Sequence, residues 1–369
     1  MIPITDPKSH LEMIQKDIFT AFKDVLSSGN YILGSNVTKL EEEMREKLGV
    51  TECITVANGT DALVLSLHAS GIGEGDEVIT TPFTFFATAE AITRVGAKVV
   101  FVDVDEKTFN IDPAKIKEKI TPATKAILPV HLFGQPANMD EINKIAKSNH
   151  LIVIEDACQA FGAEYKGKLV GALGDIACFS FFPTKNLSTI GDGGMVTTSD
   201  RKIAKKIRSL RAHGSEQKYF HDEIGYNSRL DEVHAAIIRI CLQHIDQWNE
   251  QRIQLAKRYD EKLKHLNVAK TPFPSMDNKH VYHLYSLVSD HRDEVIDYLT
   301  KNNIQTGIYY PRCIHLQHAY TYLGYKKGDF PIAESLSEMI FSIPLYPLLS
   351  VEDQNKVIDT LYRFEEKQK

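Results

Sequence analysis

The stretch Leu151-Ile152-Val153-Ile154-Glu155-Asp156-Ala157-Cys158-Gln159 sets two acids at the end of a nearly unbroken apolar run. A strand with one wet face alternates apolar and polar residues, whereas a continuous apolar run indicates a strand covered on both faces. Six more runs share this texture, at 53–56, 77–81, 98–103, 126–130, 176–180 and 195–198. Helical patterns lie between several of them. Residues 61–70 carry Leu63, Val64 and Leu67, and residues 139–148 carry Ile142, Ile145 and Ala146. Strand–helix alternation predicts an α/β fold with a mostly parallel seven-stranded sheet. In such sheets a ligand sits off the carboxyl ends of the strands, so the residues that follow each run are the candidates for a site.

Past residue 229 the texture changes. Val233, Ala236, Ile237, Ile240 and Cys241 share one face, which predicts a long amphipathic helix over 230–248. A second helical stretch to about 266, a strand over 280–288, a helix over 292–302 and another strand over 305–310 follow. The 369 residues suit a large domain at 1–245 and a smaller C-terminal α+β domain at 246–369.

With 43% hydrophobic and 25% charged residues, the chain has the mix of a soluble globular protein. A net charge of −6 argues against nucleic-acid or membrane-surface binding. No apolar stretch is long enough to span a bilayer, and the N-terminus lacks a secretory pattern. None of the five cysteines forms a C-x-x-C pair, so no metal site is indicated and a reducing, cytoplasmic setting is expected.

Four strand ends carry chemistry. Gly59-Thr60 enters a helix, where free N–H groups favour a phosphate, although Thr and Asp also serve there as ordinary caps. Phe85 could stack on a flat heterocycle or fill a core. Asp156 needs a partner at the end of an apolar run, and a protonated pyridine nitrogen, a salt bridge or a helix end would each serve. Lys185, in Phe181-Phe182-Pro183-Thr184-Lys185-Asn186 ahead of Gly191-Asp192-Gly193-Gly194, sits where apolar neighbours would lower its pKa and free the amine for a Schiff base. A phosphate loop, an aromatic plate, a carboxylate and a lysine in this order suit pyridoxal 5′-phosphate (PLP).

With these segments, Tyr31-Ile32-Leu33-Gly34, Gly225-Tyr226-Asn227-Ser228-Arg229-Leu230-Asp231-Glu232 and Gly324-Tyr325-Lys326-Lys327-Gly328-Asp329-Phe330, the chain resembles the DegT/DnrJ/EryC1/StrS sugar aminotransferases. The resemblance implies the PLP-dependent transferase fold type I and an amino transfer from L-glutamate to a nucleotide-linked keto sugar. It implies that Lys185 holds PLP covalently, Asp156 pairs with the ring nitrogen and Gln159 bonds the ring hydroxyl. Phe85 would lie on the ring, and Gly59, Thr60 and Ser180 would cradle the phosphate. Asn227 would reach the phosphate of a neighbouring subunit, so the implied unit is a homodimer with shared sites. Tyr31, Arg229, Tyr309 and Tyr310 are the candidate substrate contacts.

In that family Gly-Asp-Gly-Gly after the lysine marks 3-aminotransferases and Glu-Gly-Gly marks 4-aminotransferases, so Gly191-Asp192-Gly193-Gly194 favours a 3-keto substrate on dTDP or UDP. One departure is Tyr309-Tyr310-Pro311 where the family often has His-Tyr-Pro; Arg312 and His315 could substitute for the missing histidine. The alternatives are a 4-keto substrate, a lyase of the same fold (a desulfurase would need Cys313 as its thiol) and a PLP-binding regulator without turnover.

Overall fold

The computed structural model describes residues 1–217 and 219–368. Seven strands form the central sheet: β1 (Glu52–Val56), β2 (Glu77–Thr80), β3 (Lys98–Phe101), β4 (Thr124–Ile127), β5 (Ile152–Asp156) and, after a two-stranded excursion β6 (Glu164–Tyr165) and β7 (Lys168–Leu169), β8 (Ile176–Ser180) and β9 (Gly194–Thr198). Their order is β1-β9-β8-β5-β4-β2-β3. The pairings among β3, β2, β4, β5 and β8 are parallel, while β9 runs antiparallel to both β1 and β8. Each predicted run is a strand, because its side chains are buried on both faces.

The helix Gly59–Ala69 covers one face through Leu63, Leu65 and Leu67, and Met139–Ser148 covers the other through Ile142 and Ile145. In the C-terminal third, β10 (Asn278–Lys279) extends the excursion, and β11 (Tyr285–Val288) pairs with β12 (Ile340–Ile343). Tyr259, Tyr285, Leu299, Phe341 and Leu361 form a cluster of their own beside this pair. Among the described residues, no helix is long and apolar enough to cross a membrane.

Three expected elements differ. The helix expected over 230–248 is two, Glu232–Leu242 and Ile245–Leu263. The N–H groups of Gln243 and His244 turn back to Ile240 and Cys241, tightening the last turn and ending the first helix. The strand expected over 280–288 is ordered only as β11, since Val281 and His283 donate instead to the Gly134 and Phe133 carbonyls of the loop after β4. Residues 305–310 are no strand. Gly307 exchanges hydrogen bonds with Ser342, and the chain beyond it carries Tyr309 and Tyr310 to a cavity.

Candidate active site

A cavity of about 690 Å³ opens at the carboxyl ends of β5 and β8 and takes in Gly59, Thr60, Phe85, Asp156, Gln159, Ser180 and Lys185. The sequence scatters these residues over more than a hundred positions; the parallel sheet gathers them on one edge.

At the helix start, Asn58 Oδ1 accepts the Asp61 N–H at 2.8 Å. The first N–H groups of a helix have no intrahelical acceptor, so those of Gly59 and Thr60 stay available to an anion. Gly59 has to be glycine, because a Cβ there would stand 2.8 Å from Ser180 Cβ and 3.0 Å from Cys158 Sγ. Gly194 is as constrained, with the Asn58 carbonyl oxygen 2.3 Å from its would-be Cβ.

Asp156 is buried at the tip of β5. Its Oδ2 accepts the Thr88 hydroxyl at 2.8 Å and its Oδ1 the Cys158 N–H at 3.2 Å. The Thr84 and Thr88 hydroxyls are 3.1 Å apart, and since Thr88 donates to Asp156, Thr84 donates to Thr88. Gln159 is held from both ends: Oε1 accepts the Phe133 N–H at 2.8 Å, and Nε2 donates to the Tyr310 hydroxyl at 3.1 Å. Burial pushes the Tyr310 hydroxyl well above its ordinary range.

Lys185 follows β8 in a loop pinned by its own N–H on the Phe182 carbonyl and by Thr189 N–H on that of Phe181, both at 2.8 Å. Burial lowers the pKa of its amine, and the nearby Cys158 and Asp156 only partly offset this. A lysine so placed gives up its proton more readily than a solvated one. Phe85 is 57% exposed although it is a large apolar ring, and it lies beside Tyr310 with centroids 6.2 Å apart. An open aromatic face, a buried carboxylate, an amine of lowered pKa and a cradle with no room for a Cβ around one cavity fit a flat pyridine aldehyde that carries a phosphate.

Tyr309 and Tyr310 line the cavity as well, whereas Tyr31, Asn227 and Arg229 stand outside it. Tyr31 and Asn227 are exposed. Their two segments form one unit: the Tyr31 carbonyl accepts the Glu232 N–H, and the Glu232 carboxylate accepts the N–H groups of Gly34, Asn36 and Val37. Ser228 Oγ accepts the Ala57 N–H at 3.1 Å, which clips this unit to the end of β1 beside Gly59.

Neither expected substitute for the missing histidine lines this cavity, and His315 is already engaged elsewhere. His315 is buried, with Nε2 on Glu334 at 3.0 Å and Phe330 packed against its ring, and Arg312 is exposed outside the cavity. Apolar neighbours drew the His315 loop into the interior. Cys313 is no desulfurase thiol either; it is buried against Ser337, and burial pushes its pKa up to about 12. Lys327 pairs with Glu338 at the surface.

Thr88, Cys158 and His283 also touch the cavity or its carboxylate, though the sequence assigned them no role, and Asp192 of the Gly-Asp-Gly-Gly motif lines the cavity as well. Thr88 and Cys158 sit beside residues already singled out, so proximity was a signal. His283 had none, because it lies about a hundred residues from Lys185 in sequence.

A family model described as the DegT/DnrJ/EryC1/StrS aminotransferase family matches residues 12–362. A "Pleiotropic regulatory protein" of Geobacillus stearothermophilus is 46% identical over 98% of either chain. A UDP-N-acetyl-3-dehydro-alpha-D-glucosamine 3-aminotransferase of Acidithiobacillus ferrooxidans is 43% identical over 98% of this chain and 97% of its own. The crystal structure of S. venezuelae DesV in complex with a ketimine intermediate superposes with a TM-score of 0.97 at 40% identity, covering 99% of this chain and 98% of that one. The chain belongs to the DegT/DnrJ/EryC1/StrS aminotransferase family.

Proposed function

We propose that this family member uses pyridoxal 5′-phosphate to move an amino group from L-glutamate to the C3 ketone of a nucleotide-linked sugar. The observation that carries this reading is the joint placement of Lys185 and Asp156 in one cavity beside the Gly59–Thr60 helix start. Pyridoxal 5′-phosphate, when bound, supplies an electron sink for breaking the bond to hydrogen at the amine-bearing carbon. Asp156 keeps the ring nitrogen protonated through the side of its carboxylate that Thr88 and Cys158 leave open. Gly59, Thr60 and Ser180 hold the phosphate, Phe85 covers the ring, and Gln159 orients the ring hydroxyl.

Lys185 anchors the cofactor through Nζ. The same amine would take the proton from the donor's α-carbon in the first half and return one to the sugar's C3 in the second. Burial lowers its pKa, which favours the neutral amine that accepts that proton.

The C3 assignment is supported by Gly191-Asp192-Gly193-Gly194 and by the relative named as a 3-aminotransferase. The working unit is a homodimer. Asn227 is exposed outside its own cavity and precedes Ser228, whose hydroxyl accepts the Ala57 N–H, so its side chain is placed to reach a partner's phosphate site, with Arg229 two residues on.

The test is spectroscopic. Adding L-glutamate to PLP-loaded protein is expected to shift the visible cofactor band to the ultraviolet, and a 3-keto nucleotide sugar is expected to restore it. A loaded protein that ignores every amino donor would instead be a binder without turnover, in line with the name of the regulatory relative. Restoration by 4-keto sugars alone would move the reaction to C4.

A further inference from the structure

His283 is buried and faces the same cavity as Lys185. Its Nδ1 lies 3.3 Å from Asn186 Oδ1. An imidazole nitrogen can donate or accept, so the proton's place has to be read from the neighbours. Asn186 Nδ2 lies 3.0 Å from the Val281 carbonyl and 2.8 Å from Asn249 Oδ1. Asn249 Nδ2 in turn lies 3.0 Å from the Phe161 carbonyl. A backbone carbonyl only accepts, so both amides are fixed: each turns its NH₂ toward a carbonyl, and Asn186 leaves its oxygen for the histidine. Nδ1 therefore carries the hydrogen and Nε2 is a bare acceptor.

Among the described residues Nε2 has no hydrogen-bond partner, and it is not sealed in the interior, so it opens onto the cavity. Gly162 belongs to the same device, with a would-be Cβ 2.6 Å from Asn249 Nδ2 and a φ of +83°. Burial first, then the charges of Lys185 and Arg252, pushes the His283 pKa well below its ordinary value, which keeps the ring neutral.

We propose that the Asn249–Asn186 amide chain fixes His283 as its Nδ1–H tautomer so that Nε2 accepts a hydrogen bond from the Lys185 amine, making His283 a positioning residue of the transfer. This rests on the aminotransferase reading of the cavity. The lysine must swing between the cofactor and the substrate carbon, and an acceptor on the cavity wall gives the freed amine a fixed resting place. A neutral ring does this without competing for the proton that Lys185 carries. No proton changes hands in this contact.

Two measurements test it. In cofactor-free protein with ¹⁵N-labelled histidine, the His283 signals, assigned by their loss in His283→Gln, are expected to show a protonated Nδ1 and a bare Nε2 from about pH 6 to 8. The Nε2 signal is expected to move in Lys185→Ala. A proton on Nε2, or an Nε2 signal indifferent to Lys185→Ala, overturns the proposal.

In the glutamate half-reaction, His283→Leu is expected to slow the spectral change about tenfold, the scale of one hydrogen bond. His283→Gln, which keeps an acceptor oxygen, is expected to recover most of the rate. Equal rates for wild type and His283→Leu would also overturn it. A wild-type protein inert to every donor would sink the aminotransferase reading instead, and the tautomer measurement would still decide the amide chain.

Discussion

Glu155 and Asp156 are neighbours at the tip of β5, yet they sit in opposite surroundings. Adjacent strand residues point to opposite faces of a sheet. Glu155 is fully buried and its carboxylate is saturated: Oε2 accepts His131 Nε2 at 2.9 Å and the Gly171 N–H at 3.0 Å, and Oε1 accepts the N–H groups of Leu173 and Gly174 at 2.8 and 2.7 Å. A carboxylate offers about four such positions. Asp156 has two donors, Thr88 and Cys158, and a cavity in front of it. One acid is spent on holding the fold, and the other keeps capacity for a ligand. Both are buried, so burial does not mark the working carboxylate; unfilled acceptor capacity facing a cavity does.

The largest effect is expected at Lys185, the amine that shares the cavity with the open acid. Lys185→Ala is expected to lose the visible cofactor band and all detectable turnover, checked by absorbance and product mass spectrometry. Turnover near the wild-type rate would show that the cavity works through another amine. Asp156→Asn comes next. It keeps the shape and the Thr88 contact but removes the charge, and kcat is expected to fall on the order of 100-fold, the scale of one preorganised electrostatic contact. Cofactor binding should weaken less than kcat. The smallest effect on catalysis, and the sharpest contrast, belongs to Glu155→Ala. It strands His131 and three N–H groups, so stability is expected to drop by roughly 3–5 kcal/mol in urea titrations. The folded fraction should turn over within about threefold of wild type, since a group pointing away from the cavity contributes little to the barrier. A loss of activity from Glu155→Ala as large as that from Asp156→Asn would erase the distinction.

His283 and His315 carry the same lesson. His315 looked available because it follows Tyr309-Tyr310-Pro311, close to the expected place of a missing histidine. Its Nε2 is already on Glu334, so it has nothing left to offer at that atom. His283 drew no attention in an apolar stretch, and its Nε2 is the one that faces the cavity. Sequence distance to a motif is a poor guide once loops fold back, because packing, not proximity along the chain, decides which nitrogen meets water or ligand. The helix expected over 230–248 failed for a related reason: an apolar stripe continues across Gln243-His244, while the backbone turns tighter there.

The sequence alone determined the seven strands, the α/β class and the residues gathered at the carboxyl edge. Buried strands must be apolar throughout, and chemistry-bearing residues just past them must lie on one edge when the strands run parallel. It could not determine which polar groups there remain unfilled. That depends on donors from distant segments, such as Thr88 for Asp156, Gly171 and Leu173 for Glu155, and Asn249 acting through Asn186 on His283. Hydrogen-bond capacity is allotted only when those segments meet in space, so the tertiary structure decided what each polar group had left for a ligand.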